Sequence, residues 1–191
     1  MIYFPIETET FTYQHLFDSE TNAQKIKNFS VNQPSGKGLE NYLKLMASSE
    51  EASSFARTYL VMDKFSHEVA SYFTLKTGLF TLELSDDYFY TIPSIELADF
   101  AVNSEYRAVH PEVTEIGKTT FREFIIPLVH FVRSFVGVKA MYIYALNQER
   151  LIHHYEEMGF KRLSPEKELF VHQHVKPKYD DGCIFMYQLL G

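Results

Sequence analysis

Residues suited to binding an anion lie at the start of a helix that the sequence predicts from Ile116 onward. Gly117 opens this helix after a strand and a polar loop, and Lys118, Thr119 and Thr120 complete its first turn. The N–H groups of a first helical turn have no acceptor within the helix, and the helix dipole makes this end positive. The sequence therefore predicts an anion site at this helix start.

Glu96 and Asp99 supply two carboxylates, which can act as general bases, on a strand predicted over residues 94–103. Because positions 96 and 99 differ in parity, the two side chains face opposite sides of a sheet, and only one can face a given cleft. Burial would favour a catalytic role for Glu96. The alternative interpretation of Glu96 is a solvent-exposed carboxylate at a strand end near Pro93.

Patterns for other chemistries have weak support in this sequence. His172 and His174 would share one face of a strand, and His110, His153 and His154 are also present, but no Cys or carboxylate stands at a recognisable metal-ligand spacing. The Gly-x-Ser-x-Gly elbow of a Ser/His/Asp hydrolase is absent from the sequence. We therefore expect neither a metal site nor a hydrolase triad.

Length and composition predict one domain over residues 1–191, with a single hydrophobic core. The formal net charge of -7 opposes phosphate backbones, so DNA is not expected as a partner. Cys183 is the one cysteine and cannot form an internal disulfide, which fits a reducing compartment. Because the sequence shows neither a signal peptide nor an apolar run of about 18 residues, we expect no membrane partner and a cytoplasmic location.

The periodicity of apolar residues predicts the elements that position these groups. Residues 56–62 and 68–76 are predicted as an antiparallel strand pair, followed by a connection over 84–93. Residues 94–160 read as strand, loop, helix, strand and helix, which demands a parallel pair with a right-handed crossover. After a long excursion over 165–182, a closing strand ends the chain. The predicted fold class is α/β, a mixed, mostly antiparallel central sheet with helices on both faces.

Four segments combine into one recognisable pattern: the strand and loop IELADFAVNSEYR, the helix start IGK, the strand VKAMYIYALN and the helix end HHYEEMGF. Together they resemble the GNAT superfamily of acyl-CoA-dependent N-acyltransferases, over roughly residues 56–190. The helix start is similar to the last half of the family's pyrophosphate-binding signature. The helix end matches the family's Tyr-x-x-x-Gly-Phe sequence almost letter for letter.

The resemblance implies direct transfer of an acetyl group from acetyl-CoA, the co-substrate, to a primary amine in a ternary complex. Tyr155 matches the tyrosine that protonates the leaving thiolate, a role that suits a side chain with an ordinary pKa near 10. The alternative for Tyr155 is a buried aromatic residue that anchors the helix end. Glu96 lies where some family members carry a general-base Glu, although many members use water.

The resemblance also implies the contacts with acetyl-CoA. Strand backbone would pair with the pantetheine arm, helix-start amides and an arginine would hold the pyrophosphate, and an asparagine after the fifth strand would contact the arm. Asn147 is equally well interpreted as the N-cap of the following helix. The residues implied are Phe100, Ala101, Val102, Arg107, Glu115, Ile116, Gly117, Lys118, Thr119 and Asn147.

The pyrophosphate-binding loop departs from the family pattern. The family's Arg lies three residues before the first Gly, whereas AVHPEVTE separates Arg107 from Ile116, and Glu115 occupies the first Gly position. Backbone amides do most of the phosphate binding in such loops, so a side chain that points outward is tolerated.

Three functions follow from this pattern. The first is an N-acetyltransferase with a small-molecule or peptide amine acceptor, whose substrate cleft is shaped by the first helices and by residues 84–93 and 165–182. The second is a GNAT-like binding or regulatory module with altered cofactor binding. The third is a toxin-like acetyltransferase that acts on aminoacyl-tRNA, which the acidic charge disfavours. A homodimer paired through the closing strand is ordinary for this fold.

Overall fold

A computed structural model describes residues 7–85, 88–174 and 182–191, and its strands form one seven-stranded sheet in the order β1-β2-β3-β4-β5-β7-β6. Alternating or continuous apolar residues mark most of these strands, as expected for half-buried and buried sheet positions. The strands are β1 (Phe11–His15), β2 (Arg57–Asp63), β3 (Val69–Ser85), β4 (Tyr88–Val102), β5 (Ala140–Ala145), β6 (Lys161–Arg162) and β7 (Ile184–Leu189).

Helices connect the strands, and two long helical runs each contain a π-helical turn. The first run covers residues 37–52 and the second covers 116–133. The α-helices are α1 (Asn22–Lys25), α2 (Lys37–Asn41), α3 (Ala47–Ala52), α4 (Ser104–Val109), α5 (Ile116–Thr119), α6 (Ile126–Arg133), α7 (Glu149–Glu157) and α8 (Pro165–His174). Among the helices in the described ranges, none is long and apolar enough to cross a bilayer.

The pairing of the strands confirms the predicted mixed sheet. β1 pairs antiparallel with β2, β2 with β3, β5 with β7 and β6 with β7. β4 and β5 are parallel, as the strand-helix-strand order requires, because a parallel pair needs a crossover connection. Their last register pair joins Glu96 to Tyr142, whereas β4 continues to Val102 and β5 to Ala145.

The chain divides into two units. The first comprises Met1–Lys76 and Ala98–Phe131. Its core packs the early helices on β2 and β3, for example through Phe29, whose ring meets that of Tyr72 edge-on at 5.2 Å. The hydroxyl of Tyr72 donates a hydrogen bond to the carbonyl of Leu39 at 2.6 Å, which fixes the first helical run on the sheet.

Asn103 follows β4 in the first unit and joins three segments of the chain. Its Oδ1 accepts hydrogen bonds from the N–H groups of Ser30 and Glu105, both at 3.1 Å. Its Nδ2 donates to the carbonyl of Val69 at 2.8 Å. The bond from Glu105 makes Asn103 the N-cap of α4. The prediction of a polar loop from Asn103 is therefore wrong, since a short helix begins at Ser104.

The second unit comprises Thr77–Leu97 and Val132–Gly191. Its core is an aromatic cluster in which the ring of Phe80 lies 5.2 Å from that of Phe185, and the ring of Tyr142 stacks on Phe185 at 5.5 Å. The buried members of this core are Phe80, Ile92, Ala140, Tyr142, Val171 and Phe185. A core of large rings explains the high Phe and Tyr content of the sequence.

The predicted connection over residues 84–93 is wrong where the structure describes it, because β3 runs to Ser85 and β4 begins at Tyr88. Residues 86–87 lie outside the described residues. Pro93 was the reason to expect a break, since proline cannot donate to a strand ladder. In the structure its carbonyl instead accepts a hydrogen bond from the N–H of Lys139 at 2.9 Å, within β4.

The predicted excursion over 165–182 contains the ten-residue helix α8. His172 and His174 therefore do not alternate on a strand, and the argument for a shared face fails. Residues 175–181 of the predicted excursion lie outside the described residues. Pro165 at the first helical position and Glu166 in the first turn are ordinary signals for a helix start.

The helical run over 116–133 continues across Pro127. Proline lacks the N–H that would bond to the carbonyl of Glu123, and a proline in a helix normally kinks it. A π-helical segment, Thr120–Ile125, directly precedes this position, and such wide turns are known causes of helix distortion. The wide turn lies where the hydrogen bond is missing, so the helix continues past Pro127 without ending.

Candidate active site

The helix end that carries Tyr155 is a Schellman motif. The N–H of Phe160 donates to the carbonyl of Tyr155 at 3.0 Å, and the N–H of Gly159 donates to the carbonyl of Glu156 at 2.9 Å. Gly159 has a φ of 94°, the left-handed conformation that this motif requires and that glycine adopts without strain. The ring of Phe160 meets that of Tyr155 edge-on at 5.6 Å, which supplies the hydrophobic contact typical of the motif.

This geometry fixes the side chain of Tyr155 at the end of α7. The residue is 6% exposed, and burial raises the pKa of its hydroxyl above the ordinary value. The hydroxyl therefore stays protonated at neutral pH. A buried, protonated phenol fits both interpretations of Tyr155, the helix anchor and the proton donor.

Glu96 lies on β4 in the same unit and is buried, with 7% of the residue exposed. Its Oε2 accepts a hydrogen bond from the hydroxyl of Tyr142 at 3.2 Å. The interpretation of Glu96 as a solvent-exposed carboxylate is therefore wrong. A buried carboxylate that accepts a hydrogen bond is suited to accept a proton, provided that a substrate amine reaches it.

Tyr142 was missed by the sequence analysis, although a signal for it existed. Glu96 and Tyr142 are register partners in the parallel pair of β4 and β5. A parallel pairing of these strands was predicted, but its register was not. With the register known, the residue facing Glu96 follows from the alternation of side chains along a strand.

The strand segment predicted to bind pantetheine ends β4 in the first unit. Phe100 and Val102 are half-buried, and Ala101 is buried in the core. In the second unit, Asn147 is exposed and lies one residue before Gln148, the N-cap of α7. The interpretation of Asn147 as the N-cap is therefore wrong, and its amide remains available to a ligand.

The predicted anion site begins at Glu115, which precedes α5 and has left-handed backbone angles with φ of 54°. This explains why a glycine is preferred at this position, since a side chain costs about 1 to 2 kcal/mol there. The Glu115 side chain is exposed, and its carboxylate lies 3.4 Å from the Nζ of Lys118. The amides of Ile116 and Gly117 follow in the first turn, whose N–H groups have no acceptor within the helix.

Arg107 lies on α4 and is exposed, so it belongs to a helix rather than to the phosphate loop. The extra residues after it connect to the turn that follows β2. His110 contacts the carboxylates of Glu68 at 3.0 Å and Glu112 at 3.3 Å. The hydrogen bond with Glu68 is the main cause that raises the pKa of His110. The contacts of His110 with Glu68 and Glu112 thus hold the lengthened loop in place.

We expect Glu115→Gly to tighten acetyl-CoA binding several-fold. Glycine removes the left-handed strain and a negative charge beside the site expected to hold two phosphates. Isothermal titration calorimetry of the variant against acetyl-CoA measures this effect. Glu115→Gln removes the charge but keeps the strain, so it separates the two causes. Equal or weaker binding of both variants would contradict a phosphate site at this helix start.

Comparison with known proteins finds similarity in structure only. No protein-family model and no curated protein matches the sequence. AtaTR bound with acetyl-CoA is similar with a TM-score of 0.65 and 15% identity, covering 95% of each chain. AtaT complexed with acetyl-methionyl-tRNAfMet gives 0.61 and 18%, covering 92% of this chain and 93% of that chain. The KacTA–DNA complex gives 0.63 and 17%, covering 94% and 92%.

These complexes correct the predicted partners. The expectation of a small-molecule or peptide acceptor, with no DNA partner, is wrong, because similar structures hold an acetylated aminoacyl-tRNA and DNA. The expectation rested on the net charge of -7. Net charge is a sum over the chain, whereas nucleic-acid binding depends on where the positive charges lie.

The likeness extends over nearly the whole length of both proteins. The structure of a Tyr-to-Phe mutant of KacT is among the similar ones, with a TM-score of 0.66. The predicted fold is therefore confirmed: this chain has the GNAT acetyltransferase fold.

Proposed function

We propose that this chain is an acetyl-CoA-dependent N-acetyltransferase whose acceptor is the amino group of an aminoacyl-tRNA. The observation that carries the proposal is the full-length likeness to AtaT complexed with acetyl-methionyl-tRNAfMet. The buried Tyr155 at the Schellman motif supports it. The motif forms without the hydroxyl of Tyr155, so the hydroxyl fits a role in catalysis.

On the donor side, the first helical turn after Glu115 would bind the pyrophosphate of acetyl-CoA through the amides of residues 115–118. The predicted amide of Thr119 drops out, because its N–H donates to the carbonyl of Glu115 at 2.9 Å. The backbone of Phe100, Ala101 and Val102 would pair with the pantetheine arm as a neighbouring strand does. This is chemically reasonable because β4 continues past its last register pair with β5. Asn147 supplies an exposed amide for the same arm.

In the proposed reaction the uncharged α-amino group of the aminoacyl-tRNA attacks the thioester carbonyl of acetyl-CoA. A C–N bond forms and the C–S bond breaks. The nitrogen loses a proton to Glu96, directly or through water, and the thiolate gains one from the hydroxyl of Tyr155. The products are N-acetyl-aminoacyl-tRNA and free CoA, so no oxidant or further reactant is needed.

Two coarser parts of the proposal concern the whole chain. Residues 1–191 would form one acetyltransferase domain, since the similar structures are covered over 92% to 95% of their own length. The site of action would be the cytoplasm, where charged tRNA is made and used. The single cysteine fits a reducing compartment of this kind.

The test begins with calorimetric titration of the purified protein with acetyl-CoA, with free CoA as a control. Saturable binding is expected. Radiolabelled acetyl-CoA is then supplied with charged tRNA, and label is expected on the aminoacyl group only. Deacylated tRNA serves as the matched negative control. Absence of binding at millimolar acetyl-CoA would overturn the proposal that this chain is an acetyl-CoA-dependent enzyme. Label on deacylated tRNA would overturn the proposal that the acceptor is the aminoacyl group.

A further inference from the structure

In the second unit the carboxylate of Glu96 lies beside the hydroxyl of Tyr142, and the ring of Tyr142 lies against the backbone of Gly78. The charge of Glu96 also acts on the phenol of Tyr144. The register of β4 and β5 sets Tyr142 directly opposite Glu96, and its hydroxyl donates to Oε2 at 3.2 Å. Both residues are only 7% exposed. This is a hydrogen-bonded carboxylate built into the core.

Gly78 makes the position of the Tyr142 ring possible. A Cβ atom at Gly78 would lie 2.7 Å from Cε1 and 2.9 Å from Cζ of Tyr142, and closer still to its hydroxyl. Contacts this short do not occur between real side chains, so the ring occupies space that any other residue at 78 would fill. Because Gly78 has no side chain, the sheet has room for the Tyr142 hydroxyl at this point.

The hydroxyl of Tyr142 remains a donor at every physiological pH. Burial raises the pKa of Tyr142, and the negative charge of Glu96 raises it further. Burial and the charge of Glu96 also raise the pKa of Tyr144, whose ring lies 6.0 Å from that of Tyr142. The ring of Tyr144 in turn meets that of His172 at 5.7 Å.

We infer that Tyr142 is a positioning residue for Glu96, which holds the carboxylate in one orientation so that it can accept the proton of the acceptor amine. The inference rests on the proposed function for the identity of that amine. The physical reason is that a base must lie within hydrogen-bond reach of the proton that it takes, and the hydrogen bond from Tyr142 fixes where Oε2 of Glu96 lies. Without this bond, the carboxylate is free to turn away from the amine.

The test is steady-state kinetics of acetyl transfer in Tyr142→Phe, measured both in the wild type and in a Glu96→Gln background. In the wild type we expect kcat to fall about tenfold or more, because a displaced base loses part of the roughly 10²- to 10⁴-fold contribution of general-base catalysis. In the Glu96→Gln background the same substitution should change kcat by less than about threefold, since no base remains to be positioned. The KM for acetyl-CoA should not change.

Tyr187→Phe is the matched control. Tyr187 is the register partner of Tyr142 on β7, and its ring lies in the same cluster, 5.7 Å from that of Phe80. This variant should keep the wild-type kcat and KM. A Tyr142→Phe variant with unchanged kcat, or with a loss of kcat that is just as large in the Glu96→Gln background, would overturn the inference and leave the proposed function standing.

A measurement without catalysis separates the two proposals. Unfolding of Tyr142→Phe, Glu96→Met and the double variant forms a thermodynamic cycle. The double variant is expected to lose less stability than the sum of the single ones, because the two residues share one interaction. Strictly additive losses would overturn the inference. An inactive wild-type protein with a non-additive cycle would overturn the proposed function, whereas the interaction between Glu96 and Tyr142 would stand.

Discussion

Tyr155→Phe is expected to lower the turnover number for acetyl transfer by about 10²- to 10⁴-fold, the contribution usual for a positioned general acid. The substitution removes only the hydroxyl. The edge-on contact with Phe160 at 5.6 Å involves the ring and stays in place. The free energy of unfolding should therefore change by less than about 1.5 kcal/mol. Single-turnover kinetics with saturating acetyl-CoA and charged tRNA measures the effect.

Two controls identify the origin of that loss. Calorimetry should give the same acetyl-CoA affinity for Tyr155→Phe and the wild type, because the hydroxyl is needed only as the thiolate leaves. Thermal unfolding should show that the variant is folded. A variant that turns over at nearly the wild-type rate would mean that water protonates the thiolate, and Tyr155 would then serve only as a helix anchor.

Gly78→Ala is expected to lower the free energy of unfolding by about 1 to 3 kcal/mol, the usual cost of adding atoms to a filled core. In an ordinary strand the change would stabilise the protein, since glycine costs about 0.5 to 1 kcal/mol relative to alanine. The sign is reversed because the new methyl group meets the ring of Tyr142, which is buried and held by Glu96. Chemical denaturation followed by circular dichroism measures the difference.

Gly38→Ala is the matched control for this prediction. Gly38 lies within α2, and a Cβ atom there would meet nothing within 4 Å. The same substitution should therefore stabilise the protein, by up to about 1 kcal/mol, through helix propensity. Equal effects of the two substitutions would contradict the crowding argument at Gly78.

The sequence predicts the features that depend on local order and fails where a distant residue decides. The strand-helix-strand order around the second helical run predicts the parallel pair of β4 and β5, and the structure confirms it. Gly78 and Pro93 both look like strand breaks. Each is tolerated because of a remote partner, the Tyr142 ring in one case and the N–H of Lys139 in the other.

The helix α8 shows a second kind of failure. Its apolar residues Leu169, Phe170 and Val171 are consecutive rather than spaced along one face, so helical periodicity is missing. Only Val171 is buried, while Phe170 stacks on Phe89 of β4 at 5.6 Å. The contact that holds this helix comes from another strand, which a local pattern does not reveal.

The residues of the candidate site also differ in how far the local sequence predicts their structure. The helix end at Tyr155 is encoded within six consecutive residues, and all of its hydrogen bonds are local. It was therefore recognisable in the sequence. Glu96 was a candidate by position, but its burial and its bond with Tyr142 depend on strand register. Arg107 was assigned to the phosphate loop because the N-cap of α4, a local hydrogen bond between Asn103 and the N–H of Glu105, was not recognised.

The Schellman motif has a consequence for how this protein can change during evolution. Folding constrains the residue types at 159 and 160, because Gly159 has a left-handed backbone and Phe160 makes a ring contact with Tyr155. The hydroxyl of Tyr155 contributes to neither. A descendant that gave up catalysis would thus keep the glycine and the ring while losing a single oxygen atom. Phenylalanine at this position would be the earliest trace of that loss, visible before any erosion of the fold.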